Sequence, residues 1–215
     1  FILVGIHGGN PELFFERVIE NKAKFLKQKG ILERITLKEA ISDLERKNGE
    51  NSSVDFSNFK EGVYSDVRSN YQRLLRINLV KLNPDSHRFP NHNDKTIKKF
   101  LFILRNCIKD RNIDNQTKLK FNLKKRCVIP LQQDKESPTL TTLPDDYIHY
   151  SEPRILTVRE YARIQSFDDC FEFKGKYTTG GKLRTKEVPR YTQIGNAIPP
   201  LFGEQSGIVL KEMMK

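Results

Sequence analysis

The chain has 215 residues, 37% of them hydrophobic and 30% charged, and carries a net charge of +11. Such a length allows one large or two small domains, each with a real core. No apolar run approaches the roughly 18 residues that a membrane span needs, and three scattered cysteines (Cys107, Cys127, Cys170) exclude a disulfide framework or a metal knuckle.

A soluble protein of a reducing cytoplasm is the resulting expectation. Phe1-Ile-Leu-Val-Gly-Ile6 has neither the basic leader nor the cleavage site of a signal peptide. It reads instead as a short strand buried on both faces. A chain opening in mid-strand without Met is expected to be part of something longer.

A helix is predicted next, with Asn10 as cap, Pro11 in the first position and Gly30 just past the end. Leu13, Phe14, Val18 and Phe25 form its apolar side. Thr36-Leu-Lys-Glu39 has capping-box spacing and predicts a second helix that buries Leu37, Ala40, Ile41 and Leu44, with Gly49 as its stop. Asn48 to Asn58 is rich in Gly, Ser and Asn and is expected to be a linker or long loop at the main domain boundary.

Beyond it the chain turns basic. Between Arg68 and Arg126 there are 16 Lys/Arg against 4 Asp/Glu. A basic block confined to one region suits a polyanion-binding surface, the alternative being a solvated charged face. A helix is predicted over Lys95 to Lys109, capped by Asp94, with Ile97, Phe100, Leu101, Leu104 and Ile108 inward. Its aromatics are expected to be core rather than base-stacking platforms.

His87-Arg-Phe-Pro-Asn-His92 is a polar loop ahead of that helix. Two histidines without a third ligand nearby argue against a metal, so no metal site is assigned and Arg88 and His92 are candidate DNA contacts. Lys118 to Arg126 carries five basic residues in nine, and Cys127-Val-Ile-Pro130 reads as a short strand ending in Pro. Ser137-Pro-Thr-Leu-Thr-Thr142 reads locally as a Ser/Thr turn and strand.

Two later stretches are more specific. The first is Arg154-Ile-Leu-Thr-Val-Arg-Glu-Tyr-Ala-Arg-Ile-Gln-Ser-Phe-Asp-Asp169, and the second is Arg190-Tyr-Thr-Gln-Ile-Gly-Asn-Ala-Ile-Pro-Pro200. In order and separation they resemble the last two blocks of the C5-cytosine DNA methyltransferases, which run R-x-L-T-x-R-E-x-A-R-x-Q-x-F-P-D and Q-x-G-N-A-V-P-P. Asp168 stands where that family usually has Pro. The opening strand also matches the end of the family block Q-x-R-x-R-x-x-x-V-G. The motifs cover about a quarter of the chain.

That resemblance implies an α+β fold. A small target-recognition domain (51–188) would be flanked by a strand and helices (1–50) and a closing motif and helix (189–215). Both flanks would belong to a Rossmann-like α/β methyltransferase domain. It also implies S-adenosylmethionine as cofactor, with Gln193, Gly195, Asn196 and Ala197 at the donor site, and double-stranded DNA as partner. Thr139 and Thr141 would touch the DNA backbone near a flipped nucleotide. Arg159 and Arg163, four apart on one helix face, are carried as candidate DNA contacts although most of their block is expected to be structural.

Methylation at C5 of cytosine asks for a thiolate, a carboxylic acid and a glycine-rich turn for the cofactor. The family supplies these in Pro-Cys, Glu-Asn-Val and F-x-G-x-G motifs, and none of them occurs here. No catalytic residue is therefore assigned, and an N-terminal catalytic half is the expected partner. A specific DNA-binding module derived from such an enzyme, without catalysis, is the alternative. An RNA-directed relative is a third reading, less suited to the long basic segment.

Overall fold

A computed structural model describes residues 4, 5, 7, 9–53, 56–79, 81, 83–178 and 186–214. The fold is mixed helix and strand, as expected from the motifs. The predicted opening strand falls largely outside the described residues, so the Rossmann-like flank is not visible. Among the described residues, no helix is long and apolar enough to cross a membrane.

Helix α1 (Glu12–Lys29) starts one residue later than predicted, with Pro11 at the cap and the Asn10 side chain accepting from the Glu12 N–H at 3.0 Å. Gly30 ends it at φ 67°, a left-handed conformation that glycine adopts without strain. Phe14 and Phe25 are buried, whereas Leu13, Phe15 and Ile19 are exposed. The helix packs on α8 (Pro200–Met213), where the Gln205 amide donates to the Val18 carbonyl at 2.8 Å.

The capping box at Thr36 is complete: Glu39 N–H donates to the Thr36 hydroxyl while the Glu39 carboxylate accepts from Thr36. It opens a single-turn α2 (Leu37–Ile41), which continues as tight turns over 42–44 and 46–48 before Gly49. The stretch read as a linker or long loop opens with a strand, and the loop is confined to the residues after it. Glu50–Ser52 forms β1, paired antiparallel with β2 (Lys60–Gly62). Polar, loop-like composition misled because both strands are short and mostly exposed, so no alternating apolar pattern marks them.

Three short helices carry the basic segment: α3 (Asn70–Leu75), α4 (Asp94–Asn106) and α5 (Asn115–Lys120). Asn93, not Asp94, caps α4 by accepting from the Thr96 N–H at 2.9 Å. The helix ends three residues early, leaving Ile108 exposed rather than inward. Its Phe100 and Ile103 are buried, so the aromatic reading as core holds for Phe100.

Strand β3 (Ile129–Pro130) confirms the predicted strand before Pro130 and pairs parallel with β4 (Tyr147–Ile148). Successive strand residues face opposite ways. Tyr147 accordingly joins a main core that also contains Leu37, Ile41, Leu131, Tyr161 and Ile194. Ile148 joins a second core with Phe100, Ile103 and Ile113. The main core draws on α2 near one end of the chain and on α6 (Val158–Ile164) and α7 (Arg190–Asn196) near the other.

Gly62 illustrates how closely the hairpin sits on the buried loop residues His87 and Phe89. A Cβ there would overlap the His87 imidazole and lie 2.8 Å from Cζ of Phe89, both rings being buried. Gly62→Ala is expected to destabilise the protein by about 1–3 kcal/mol, the usual cost of overpacking. A lowered urea midpoint at unchanged denaturant slope is the outcome to measure.

Candidate DNA- and cofactor-facing site

The penultimate motif is built around helix α6. Thr157 accepts from the Glu160 N–H, and the Glu160 carboxylate accepts from the Thr157 N–H at 2.7 Å, as the spacing predicts. The same carboxylate receives two 2.7 Å hydrogen bonds from Arg154. Burial alone would raise the Glu160 carboxyl, but the Arg154 guanidinium holds it down to about 2.

His87 lies against this knot. Its Nε2 donates to the Leu44 carbonyl at 2.8 Å, which leaves Nδ1 to accept from the Thr157 hydroxyl at 2.8 Å. Burial pushes its pKa down to about 4. His149 is equally enclosed and is pushed down to about 3 by burial and then by Arg154. His87 is thus a structural residue of the loop in which it sits.

Arg159 and Arg163, carried as candidate DNA contacts, are corrected by their surroundings: both are wholly buried. Arg163 makes hydrogen bonds of 2.5 and 2.6 Å to Asp169, 3.1 and 3.0 Å to Asp43, and 3.0 Å to the Ala40 carbonyl. Arg159 donates to the carbonyls of Asp85, Asp168 and Phe171 at 2.9, 3.1 and 2.6 Å, and to the Asp85 carboxylate at 3.2 Å. Their guanidinium donors are engaged inside the chain and do not reach a phosphate. Asp43 and Asp85 were not singled out as partners. One signal existed, since Asp43 lies next to Leu44 on the predicted buried stretch, and a carboxylate there needs a cation.

The closing motif meets the threonine segment directly. A Cβ on Gly195 would lie 2.6 Å from the Thr141 carbonyl oxygen and 2.9 Å from Thr142 Cα, so only glycine permits this approach. Tyr161 donates to the same Thr141 carbonyl at 2.9 Å. The Thr141 hydroxyl donates to Asp146 at 2.7 Å and accepts from the Leu143 N–H at 3.2 Å, while the Thr139 side chain is exposed. A cavity of about 470 Å³ opens beside the contact, with Tyr71, Thr139, Leu140, Gln165, Gly195 and Pro199 in its wall.

The four candidate cofactor residues divide. Gln193 spends its amide N–H groups on the carbonyls of Lys174 and Val188, at 3.0 and 2.9 Å, and so ties the preceding loop to α7. Gly195 serves the contact with Thr141. Asn196 is exposed at the end of α7, its carboxamide unpaired among the described residues, with half-buried Ala197 beside it. A free amide next to a small residue fits one wall of a cofactor cleft.

Arg88 and His92 take no part in that contact. The Arg88 guanidinium is stacked against Phe56, Phe59 and Tyr177, with centroid distances of 4.5, 4.0 and 3.8 Å, and burial lowers its pKa. His92 is half-buried, its Nε2 accepting from the Ile155 N–H at 3.4 Å. No cluster of metal-binding side chains occurs among the described residues.

A family model described as C-5 cytosine-specific DNA methylase matches residues 1–212. The chain belongs to that family. Its relatives include the Type II methyltransferase M1.HphI of Haemophilus parahaemolyticus, 32% identical over 55% of this chain and 29% of that protein. Type II methyltransferase M.DdeI of Desulfomicrobium norvegicum is 44% identical over 33% of this chain and 17% of its own length. Type II methyltransferase M.AquIB of Picosynechococcus is 36% identical over 39% of this chain and 62% of its own length. The matched segments thus span less than two thirds of each of these relatives.

Two stability measurements follow from the buried charges. Replacing Arg163 by Met leaves the buried Asp43 with Arg76 alone, at 3.2 Å, and Asp169 with Arg159 alone, at 3.8 Å, which should cost about 3–5 kcal/mol. Urea unfolding in the absence of DNA reads this; an unchanged midpoint would return Arg163 to the list of DNA contacts. The second concerns pH. His87 and His149 have folded pKa values below the ordinary 6.5, so the unfolded state binds more protons as pH falls. Their stabilising contribution is full above pH 6.5 and is lost as pH drops toward about 4. His149→Asn is expected to flatten the dependence of the urea midpoint on pH across that window.

Proposed function

We propose that this chain is the C-terminal, DNA-recognising part of an S-adenosylmethionine-dependent DNA (cytosine-5-)-methyltransferase of a restriction-modification system. The observation that carries this reading is the seating of Gly195 on Thr141 and Thr142. It joins the closing motif, where the cofactor is expected, to the threonine segment, where DNA is expected. Residues 51–188 serve as the recognition domain, and residues 1–50 and 189–215 complete the methyltransferase domain.

In this reading Asn196 and Ala197 contribute one wall of the cofactor cleft, and Gln193 and Gly195 hold that wall in place. The cofactor supplies the methyl group. Thr139 presents its hydroxyl to the DNA backbone, and Thr141, bonded to Asp146, sets the path of the strand around it. The cytosine must leave the duplex, because its reacting edge is inaccessible while stacked. The thiolate and carboxylic acid that act on it belong to an N-terminal half.

That half is either joined to this chain or a separate polypeptide. The relatives offer a parallel for each arrangement: 86 aligned residues make up 62% of the one from Picosynechococcus, which is shorter than this chain, whereas 119 aligned residues make up only 29% of the one from Haemophilus parahaemolyticus, which is longer. The test is transfer of labelled methyl from S-adenosylmethionine to mixed-sequence duplex DNA, with and without the upstream polypeptide. Activity is expected only with it. Asn196→Ala should then raise the KM for the cofactor roughly tenfold, the loss of one hydrogen bond of good geometry, with little change in DNA affinity. Salt-sensitive DNA binding without methyl transfer in either case would leave a DNA-binding module instead.

A further inference from the structure

A second cavity, of about 500 Å³, lies apart from the contact between the closing motif and the threonine segment. It is bounded by the turn at 46–47, the start of β2, the loop at 89–92 and the residues 152–154 that open the penultimate motif. Its volume is within the roughly 300–1,000 Å³ usual for small-ligand sites. Nothing in the methyl-transfer reading uses it.

The apolar part of its wall is formed by the half-buried Phe59, Pro90, Ile97 and Pro153. Phe89 lies buried behind them, with the guanidinium groups of Arg46 and Arg154 4.8 and 4.9 Å from its centroid. The polar groups that reach the space are of both kinds. Glu152 is a largely buried carboxylate whose two oxygens accept from the Arg46 N–H at 2.8 Å and from Arg154 Nε at 2.6 Å. Each oxygen keeps a further lone pair, so the group can still accept from a ligand. Burial raises its pKa, which fits a carboxylate in an apolar wall.

His92 accepts at Nε2, which places the ring proton on Nδ1 as a donor. Asn58 and Asn91 are exposed at the rim, and their carboxamides have no partner among the described residues. The rim also carries three exposed cations, Arg46, Lys47 and Lys60, whose partners are the Glu50 and Glu45 carboxylates and the Ser52 hydroxyl, with which a phosphate would compete. Apolar walls, an edge of mixed donors and acceptors, and cations at the mouth match the face and the polar edge of a base and its phosphate. A base would rest against the walls, its polar edge on Glu152, His92 and the amides, and its phosphate on the rim.

We infer that this cavity takes one unstacked nucleotide of the bound DNA, distinct from the cytosine that is methylated. The inference rests on the reading of the chain as a DNA methyltransferase. It makes Asn58, Asn91, His92 and Glu152 determinants of sequence choice, acting through an extruded base rather than through the groove. A free nucleoside monophosphate has the same chemistry and is the other possible source of the ligand.

The experiment uses the methyltransferase with its N-terminal half and a duplex containing its mapped methylation site. 2-Aminopurine is placed in turn at each position in and beside that site. A several-fold rise in fluorescence on binding is expected at one position other than the methylated cytosine or its partner. Asn91→Trp and Asn58→Trp, both at exposed positions, fill the mouth; each should abolish that rise and weaken duplex binding by roughly tenfold, the contribution of one stacked base. Duplex binding and methylation with no second fluorescent position would overturn the inference and leave the methyltransferase reading intact. Absence of duplex binding would overturn both. Titration with the four deoxynucleoside monophosphates is the remaining arm. Saturable binding that Asn91→Trp removes, without a second fluorescent position in DNA, would assign the cavity to a free nucleotide and overturn the DNA source.

Discussion

The architecture depends on one buried cation. Arg163 joins three stretches of chain that are distant in sequence: Ala40 and Asp43 after α2, its own helix α6, and Asp169 in the turn that follows. The α3 segment closes on the same point, because Tyr71 donates to the Arg163 carbonyl at 2.8 Å and Asp169 N–H donates to the Leu75 carbonyl at 2.8 Å. A guanidinium out of water is tolerable only when every donor has an acceptor and the charge is met. Five hydrogen bonds to two carboxylates and a carbonyl meet that demand. The N-terminal segment is thereby locked to the penultimate motif.

A second buried ion pair stands beside it and orders the neighbouring surface. Arg154 and Glu160 cap α6 and fix His87 through Thr157, and His87 in turn fixes the turn at Leu44. Phe89 and Gly62 then pack on His87, which sets the position of the β1–β2 hairpin. The cavity assigned to an unstacked nucleotide lies on the outer side of this arrangement. A rigid wall is what such a site requires, because a base gains from stacking only on a surface that is already in place.

The motifs divide their residues between scaffold and site in a way that residue type alone does not reveal. Arginines in a DNA-binding protein invite assignment to phosphate. Here Arg154, Arg159 and Arg163 hold the fold, whereas smaller groups such as Thr139, Asn91 and Asn196 remain exposed. The rim cations Arg46 and Lys60 stand on either side of the segment read from sequence as a linker or long loop (48–58), and they are paired with Glu50 and Ser52. The strands β1 and β2 are too short and too polar to announce themselves.

Local rules were legible for most helix boundaries. Both Thr-x-x-Glu boxes start helices where their spacing says, and Gly30 ends α1 in the left-handed conformation. The strand before Pro130 and the inward Phe100 were equally plain, since each depends on neighbours within a few residues. The two closing motifs sufficed to place the chain in its family. What the tertiary structure alone decided was which polar side chains are spent. Gln193 ties a loop, Gly195 clears a path for Thr141, Arg88 is stacked among three rings, and Asn196 stays exposed, without a partner among the described residues. The partners responsible, such as Asp43 for Arg163, lie as far as 120 residues away. Spacing in a sequence reports contacts along one helix or strand, and a buried charge is satisfied wherever the folded chain brings it an opposite one.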